Sequence, residues 1–257
     1  ELGRFFFAVS MLVFGIQQFI YTGFVAGLEL VPRWIPGHTF WAYFTGAALI
    51  AAGVSILIKK RARLAAGLLG ILFFVCVLIL HAPRITVILR DGGERTVAFE
   101  TLAMCGGALM LAGTLPGEPG LQAWNSLTDK AVEPGRIFLA ISLAVFGVDH
   151  FIAARFVAGL IPSWIPFRLF WVYFTGTGFL AAAISIAIKK YARLGAALLG
   201  LMFLLWVVVV HAPRVATHLH NGNEWNSAFV ALAMSGVGFI AVGAMMNRSK
   251  PLEEKRL

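Results

Sequence analysis

Asp149 and His150 stand side by side within an otherwise apolar run that follows Arg136. A carboxylate beside an imidazole can hold and pass a proton, because the imidazole titrates near neutral pH and the carboxylate orients or balances it. On a helix the pair lies roughly 20 Å from the start of that run, at about 1.5 Å per residue. An ionisable side chain at that depth in lipid costs roughly 2.5–3.5 kcal/mol unless it faces a cavity or a partner. Two readings follow: a pocket used for chemistry, with His150 and Asp149 as its catalytic pair, or an interhelical hydrogen-bond clasp. His81 and His211 each precede Ala-Pro-Arg. Either they cap a helix C-terminus, with Arg84 and Arg214 reaching towards lipid headgroups, or two imidazoles approach a common ligand. No third ligand stands at a recognisable spacing, so a metal is the weaker form of that second reading.

Other polar residues are easier to place. Glu100 is expected to pair with Arg84 or Arg95, the alternative being proton handling. His218 and His220 flank a turn and are expected to be solvated. Cys76 and Cys105 lack CxxC spacing and are expected in the core. Trp41, Tyr43, Trp171 and Tyr173 open apolar runs, as interfacial anchors or as an aromatic wall for a flat ligand. Trp164 lies in Ile161–Pro166, and Val31–Pro36 is its counterpart; paired prolines keep both segments out of helix. They form an interfacial turn or a rim over a cavity.

The elements that must position these groups are legible from composition. The 257 residues are 60% apolar and 13% charged, with mean hydropathy +0.85. Water-soluble domains average roughly 45–50% apolar and about 25% charged, so an ordinary soluble enzyme is excluded. The apolar residues form runs of about twenty, enough to cross about 30 Å of hydrocarbon. Backbone groups in lipid must be satisfied internally, and runs this long are helices rather than barrel strands. The first run follows Arg4, has no Ala-x-Ala cleavage site and is read as a retained helix. Walker, HExxH, GxSxG and dinucleotide-binding motifs do not occur.

The chain is internally duplicated. Gly3-Arg4 matches Gly135-Arg136 and Phe14-Gly15 matches Phe146-Gly147, at an offset of 132. Past Glu29 and Leu30 the offset becomes 130, and twelve of the sixteen positions from Ser55 to Gly70 are identical to Ser185–Gly200. The expected fold is an all-α membrane protein of eight transmembrane helices, arranged as two parallel-oriented four-helix repeats. Repeat one covers residues 1–114, with apolar runs at about 4–26, 38–58, 64–81 and 96–114. A cytoplasmic linker covers 115–134, in which Leu121, Trp124 and Leu127 suggest a short interfacial helix. Repeat two covers 135–247, with runs at about 136–158, 168–188, 194–211 and 226–246, and a cytoplasmic tail covers 248–257. Fourteen of the 21 Lys and Arg residues fall at the end that carries both termini, which the positive-inside rule makes cytoplasmic. Topology accounts for most of the +9 net charge, and no nucleic-acid partner is implied.

Phe146-Gly147-x-x-His150-Phe151, Phe156-Val157-Ala158, Pro162-x-Trp164-Ile165-Pro166, Trp171-x-Tyr173-x-Thr175-Gly176 and Ala192-Arg193-Leu194 form a series that resembles the DoxX/DoxD-like membrane proteins. The likeness covers nearly all of both copies. It implies a fused pair of four-helix units, thiosulfate:quinone oxidoreduction or a membrane redox assembly, and protein partners in such a complex. The first copy departs from the pattern, with Gln17 and Gln18 where the second has Asp149 and His150.

The expectation is therefore a bacterial inner-membrane protein acting as the membrane subunit of a redox system. A quinone-like or other lipophilic ligand would sit near His150 and Asp149, with His211, His81, Trp164, Trp171, Tyr173 and Gln18 as ligand-binding residues. Haem or a metal comes second to quinone as cofactor. The rival expectations are a scaffold or accessory subunit of a larger complex, and a small-molecule or lipid transporter.

Overall fold

Helices α1 (Leu2–Ile20), α2 (His38–Leu57), α3 (Ala62–Ile88) and α4 (Gly92–Thr114) make up the first copy, in a computed structural model that describes residues 1–21 and 36–247. The second copy contains α5 (Gln122–Ile152), the short α6 (Ala154–Leu160), α7 (Arg168–Ile188), α8 (Ala192–Thr217) and α9 (Gly222–Asn247). Eight of the nine, all except α6, are long and apolar enough to cross a membrane. No strand occurs among the described residues. Residues 31–35 of the first Pro-x-Trp-Ile-Pro turn, and the tail 248–257, lie outside the described residues.

Two expected boundaries are corrected. The third run of each copy does not end at its histidine. It passes through a π-helical turn, Val77–His81 or Val207–His211, and continues to Ile88 or Thr217. The wider turn resets the helix, and Pro83 and Pro213 then fall in a first turn, where a missing N–H costs nothing. The expected interfacial helix of the linker is likewise not separate. Residues 122–152 form one helix through Pro134.

That extension is docked rather than free. Arg63, buried in α3, donates to Thr128 Oγ1 (2.8 Å), to the carbonyls of Leu115 (3.0 Å) and Asn125 (2.6 Å), and to Asp129 (2.5 Å). Trp124 lies over Gly67, where a Cβ would meet its ring at 2.5 Å.

Helix order in space follows from glycine contacts. The first helix of each copy packs on the second, and also on the last helix of the other copy: α1 on α9, and α5 on α4. At one of these crossings a Cβ on Gly3 would lie 2.7 Å from the Gly236 carbonyl, and at the other a Cβ on Gly135 would lie 2.7 Å from that of Gly106. Helices α4 and α9 also touch each other, so they line the middle of the bundle. Small residues let backbones approach this closely. Gly106→Val is expected to destabilise the protein by about 1–3 kcal/mol through overpacking. The check is the thermal midpoint in detergent, with Gly159→Ala as the control, because a Cβ there meets nothing within 4 Å.

Candidate functional site

Ionic contacts divide between the two ends of the bundle. At the end bearing the first residue, Arg4 donates to the carbonyls of Ile56 and Leu57 and pairs with Glu1 at 2.6 Å, while Lys59 reaches Glu1 at 3.2 Å. Arg136 repeats this at matching positions. It donates to Ile186 (2.5 Å) and Ala187 (2.7 Å) and pairs with Glu133 at 2.9 Å, and Lys189 reaches Glu133 at 3.0 Å. Each arginine satisfies carbonyls left open at a helix C-terminus. The Arg4 hydrogen bond, with help from Lys59, pulls the Glu1 carboxyl down to about 2. Sequence reading missed this clamp, although Glu-x-x-Arg recurs at 1–4 and 133–136.

At the opposite end, Asp149 and His150 form no hydrogen bond or ion pair with each other. Adjacent helical residues point about 100° apart, and the two side chains leave α5 towards different neighbours. Asp149 takes a forked ion pair from Arg95 of α4, with Nε 2.7 and 3.0 Å and Nη2 2.6 Å from its oxygens. Only 16% of the Arg95 side chain and 14% of the Asp149 side chain are exposed. The pair joins the two copies. It also removes Arg95 from Glu100, while Arg84 is taken by Glu94 at 2.8 Å. The expected Glu100 pairs are therefore not formed, and among the described residues Glu100 has no ion pair. Arg214 pairs with Glu224 at 2.8 Å, so neither His-Ala-Pro-Arg arginine serves only as a lipid anchor.

His150 turns the other way, into an aromatic cage. Its ring stacks on Trp206 of α8 at 6.0 Å and meets the edge of Phe179 of α7 at 5.1 Å, and Phe203 closes on both (5.2 and 5.6 Å). Nδ1 lies 2.8 Å from the Phe146 carbonyl. A carbonyl only accepts, so Nδ1 carries the proton and Nε2 keeps a lone pair. That Nε2 is buried and has no hydrogen-bond partner. In the first copy the matching positions hold Gln18, Leu49, Cys76 and Phe73. There Gln18 accepts from Thr45 Oγ1 at 2.8 Å. The cage therefore belongs to the second copy alone. Three coupled differences between the copies, Gln18/His150, Leu49/Phe179 and Cys76/Trp206, carry its signature in the sequence.

The remaining expected ligand residues are scattered. His81 is buried and His211 is half-buried, each at the end of its π-helical turn, and Nδ1 of His211 is buried without a partner. Trp164, Trp171 and Tyr173 are exposed; Tyr173 stacks on Phe151 at 5.6 Å and Trp171 on the edges of Phe170 and Phe174. They belong to the outer surface of the bundle, not to the wall around His150. Cys76 and Cys105 are buried and unbridged, and Cys105 donates to the Gly70 carbonyl at 3.3 Å. Ser235 does the same to Gly200 at 2.8 Å. No cluster of three or more metal-ligating side chains occurs among the described residues.

Two cavities are distinct from the cage. One, of about 560 Å³, lies at the end bearing the first residue, between Arg136, Lys189, Arg193 and Glu133. The other, a groove of about 700 Å³, lies at the far end beside Arg155 and Arg168.

Comparison with known proteins adds one finding. A family model described as a domain of unknown function, DUF8561, matches residues 139–241, within the second copy. No curated protein and no solved structure matches the chain.

Proposed function

We propose that this chain is a DoxX-like multi-pass membrane protein, the membrane subunit of a redox system, and that its second repeat binds a lipophilic hydroxyl-bearing ligand of the hydroquinone class at His150. The observation that carries the reading is the buried, unpartnered Nε2 of His150, held in one tautomer by the Phe146 carbonyl, its ring against Trp206 and Phe179, which Phe203 backs. A buried acceptor without a donor loses roughly 1–3 kcal/mol, which a ligand hydroxyl would return. Such a ligand donates its O–H to Nε2 and lies against aromatic faces, and the imidazole takes one of the two protons released when a redox partner of the complex accepts the ligand's two electrons. Asp149 has no part in this beyond holding α5 against α4.

Matching contacts in the two copies, such as Cys105–Gly70 with Ser235–Gly200, support two parallel repeats related by an axis along the membrane normal. The bias of Lys and Arg supports cytoplasmic termini in a bacterial inner membrane.

The test is organic extraction of the purified protein with chromatographic detection of quinones. Wild type, purified under reducing conditions, is expected to carry the reduced quinol near stoichiometry. His150→Gln, which installs the residue of the first copy, is expected to retain about tenfold less, the loss of one hydrogen bond of about 1.4 kcal/mol, with an unchanged thermal midpoint. Equal retention by the two proteins, or none by wild type, overturns the reading. In that event the scaffold reading stands, supported by the Arg95–Asp149 pair that fastens one copy to the other.

A further inference from the structure

The groove at the far end of the bundle lies between α6 and the start of α7. Two arginines, Arg155 and Arg168, line it, and no acidic residue does. Both are exposed, and neither forms an ion pair among the described residues. Among the other described arginines of this end, Arg84, Arg95 and Arg214 each hold a carboxylate, while Arg90, which does not line the groove, forms no ion pair. The cavity at the opposite end also differs, because Glu133 lies among its cations.

A second, independent oddity is at the same place. Phe167 caps α7 in the left-handed backbone region, φ 54 and ψ 44. The first copy uses Gly37 for the same turn, at φ 73 and ψ 33, which is the residue that conformation suits. A bulky side chain there costs strain, as it does at Arg61 and Tyr191, which start α3 and α8 in the same backbone region. The Phe167 side chain is 82% exposed and forms part of the groove wall with Phe170. The first copy has Gly23 and His38 at the positions of Arg155 and Arg168. The basic pair and the left-handed aromatic thus occur together in the second copy, and the first copy has neither.

We propose that this groove binds an anionic phospholipid, with Arg155 and Arg168 holding its headgroup phosphate and Phe167 and Phe170 lying against the glycerol and upper acyl chains. Guanidinium groups match phosphate oxygens with two parallel hydrogen bonds. Exposed aromatic rings are stable at the depth where headgroups meet hydrocarbon. Charge selects the headgroup and the rings select a lipid over a free anion.

The experiment is native mass spectrometry of the full chain, titrated with phosphatidylglycerol or with phosphatidylcholine of the same acyl chains. Wild type is expected to prefer phosphatidylglycerol. Arg155→Gln with Arg168→Gln is expected to lower its occupancy about tenfold and leave phosphatidylcholine unchanged. Phe167→Gly is expected to lower occupancy several-fold while the thermal midpoint stays or rises, since glycine relieves the backbone strain. Arg90→Gln, which removes another exposed cation at this end, is expected to change nothing. The proposal fails if the double variant keeps the preference, if Arg90→Gln lowers it equally, or if millimolar inorganic phosphate displaces the lipid. It also fails if the double variant converts a dimer to a monomer with no lipid preference, because the face then joins two copies of the chain.

Discussion

Arg95→Leu is expected to lower the stability of the protein in detergent by about 3–5 kcal/mol, the cost of leaving a buried carboxylate without its partner. Asp149→Leu should be similarly harmful, because it strands the guanidinium. The double variant should regain most of the loss, since the penalty belongs to the unpaired charge and not to the absence of the pair. The reason lies in burial. The Arg95–Asp149 side chains are 16% and 14% exposed, whereas Arg84–Glu94 are 53% and 34% exposed. Arg84→Leu should therefore cost no more than about 1 kcal/mol. A double-mutant cycle on thermal or denaturant midpoints checks both statements. If Arg95→Leu and Arg84→Leu cost the same, Asp149 is solvated and the clasp is not what holds the two copies together.

Arg63→Ala is expected to release the linker. Four acceptors, on Thr128, Leu115, Asn125 and Asp129, share this one guanidinium, which is itself buried. Hydrogen bonds to a charged donor contribute about 1.5–3 kcal/mol each, though those sharing a group do not add. A loss of about 2–4 kcal/mol follows, concentrated in residues 115–130. Limited proteolysis is the direct readout: Lys130 should become a trypsin site in the variant and stay protected in wild type. Equal digestion of both would mean that Trp124 over Gly67 suffices to dock the segment.

The long helices were legible in the sequence because lipid allows few alternatives to a helix of about twenty apolar residues. The duplication was legible because helix packing preserved Gly15, Gly46, Arg4 and their counterparts in register. What was not legible concerns neighbours in space. Asp149 invited pairing with His150, the residue beside it, yet its partner is 54 positions earlier and in the other copy. Hydrophobic periodicity says which face of a helix is buried but not which helix covers it. The π-helical turns escaped for another reason: Pro83 and Pro213 read as terminators, and only coordinates show the chain widening one turn earlier so that each proline restarts a helix. The cage at His150 was half visible. The histidine attracted notice, but Trp206 and Phe179 looked like ordinary apolar residues in ordinary apolar runs.

The crossing of α1 onto α9 and of α5 onto α4 has a consequence for biosynthesis. When the ribosome has delivered the first four helices, the Gly3 face and the Gly106 face both still await partners that have not been made. Gly236, which meets Gly3, lies within the last helix. The contact between α1 and α9 can therefore form only after α9 has entered the membrane, and until then the Gly3 face must be kept from pairing elsewhere.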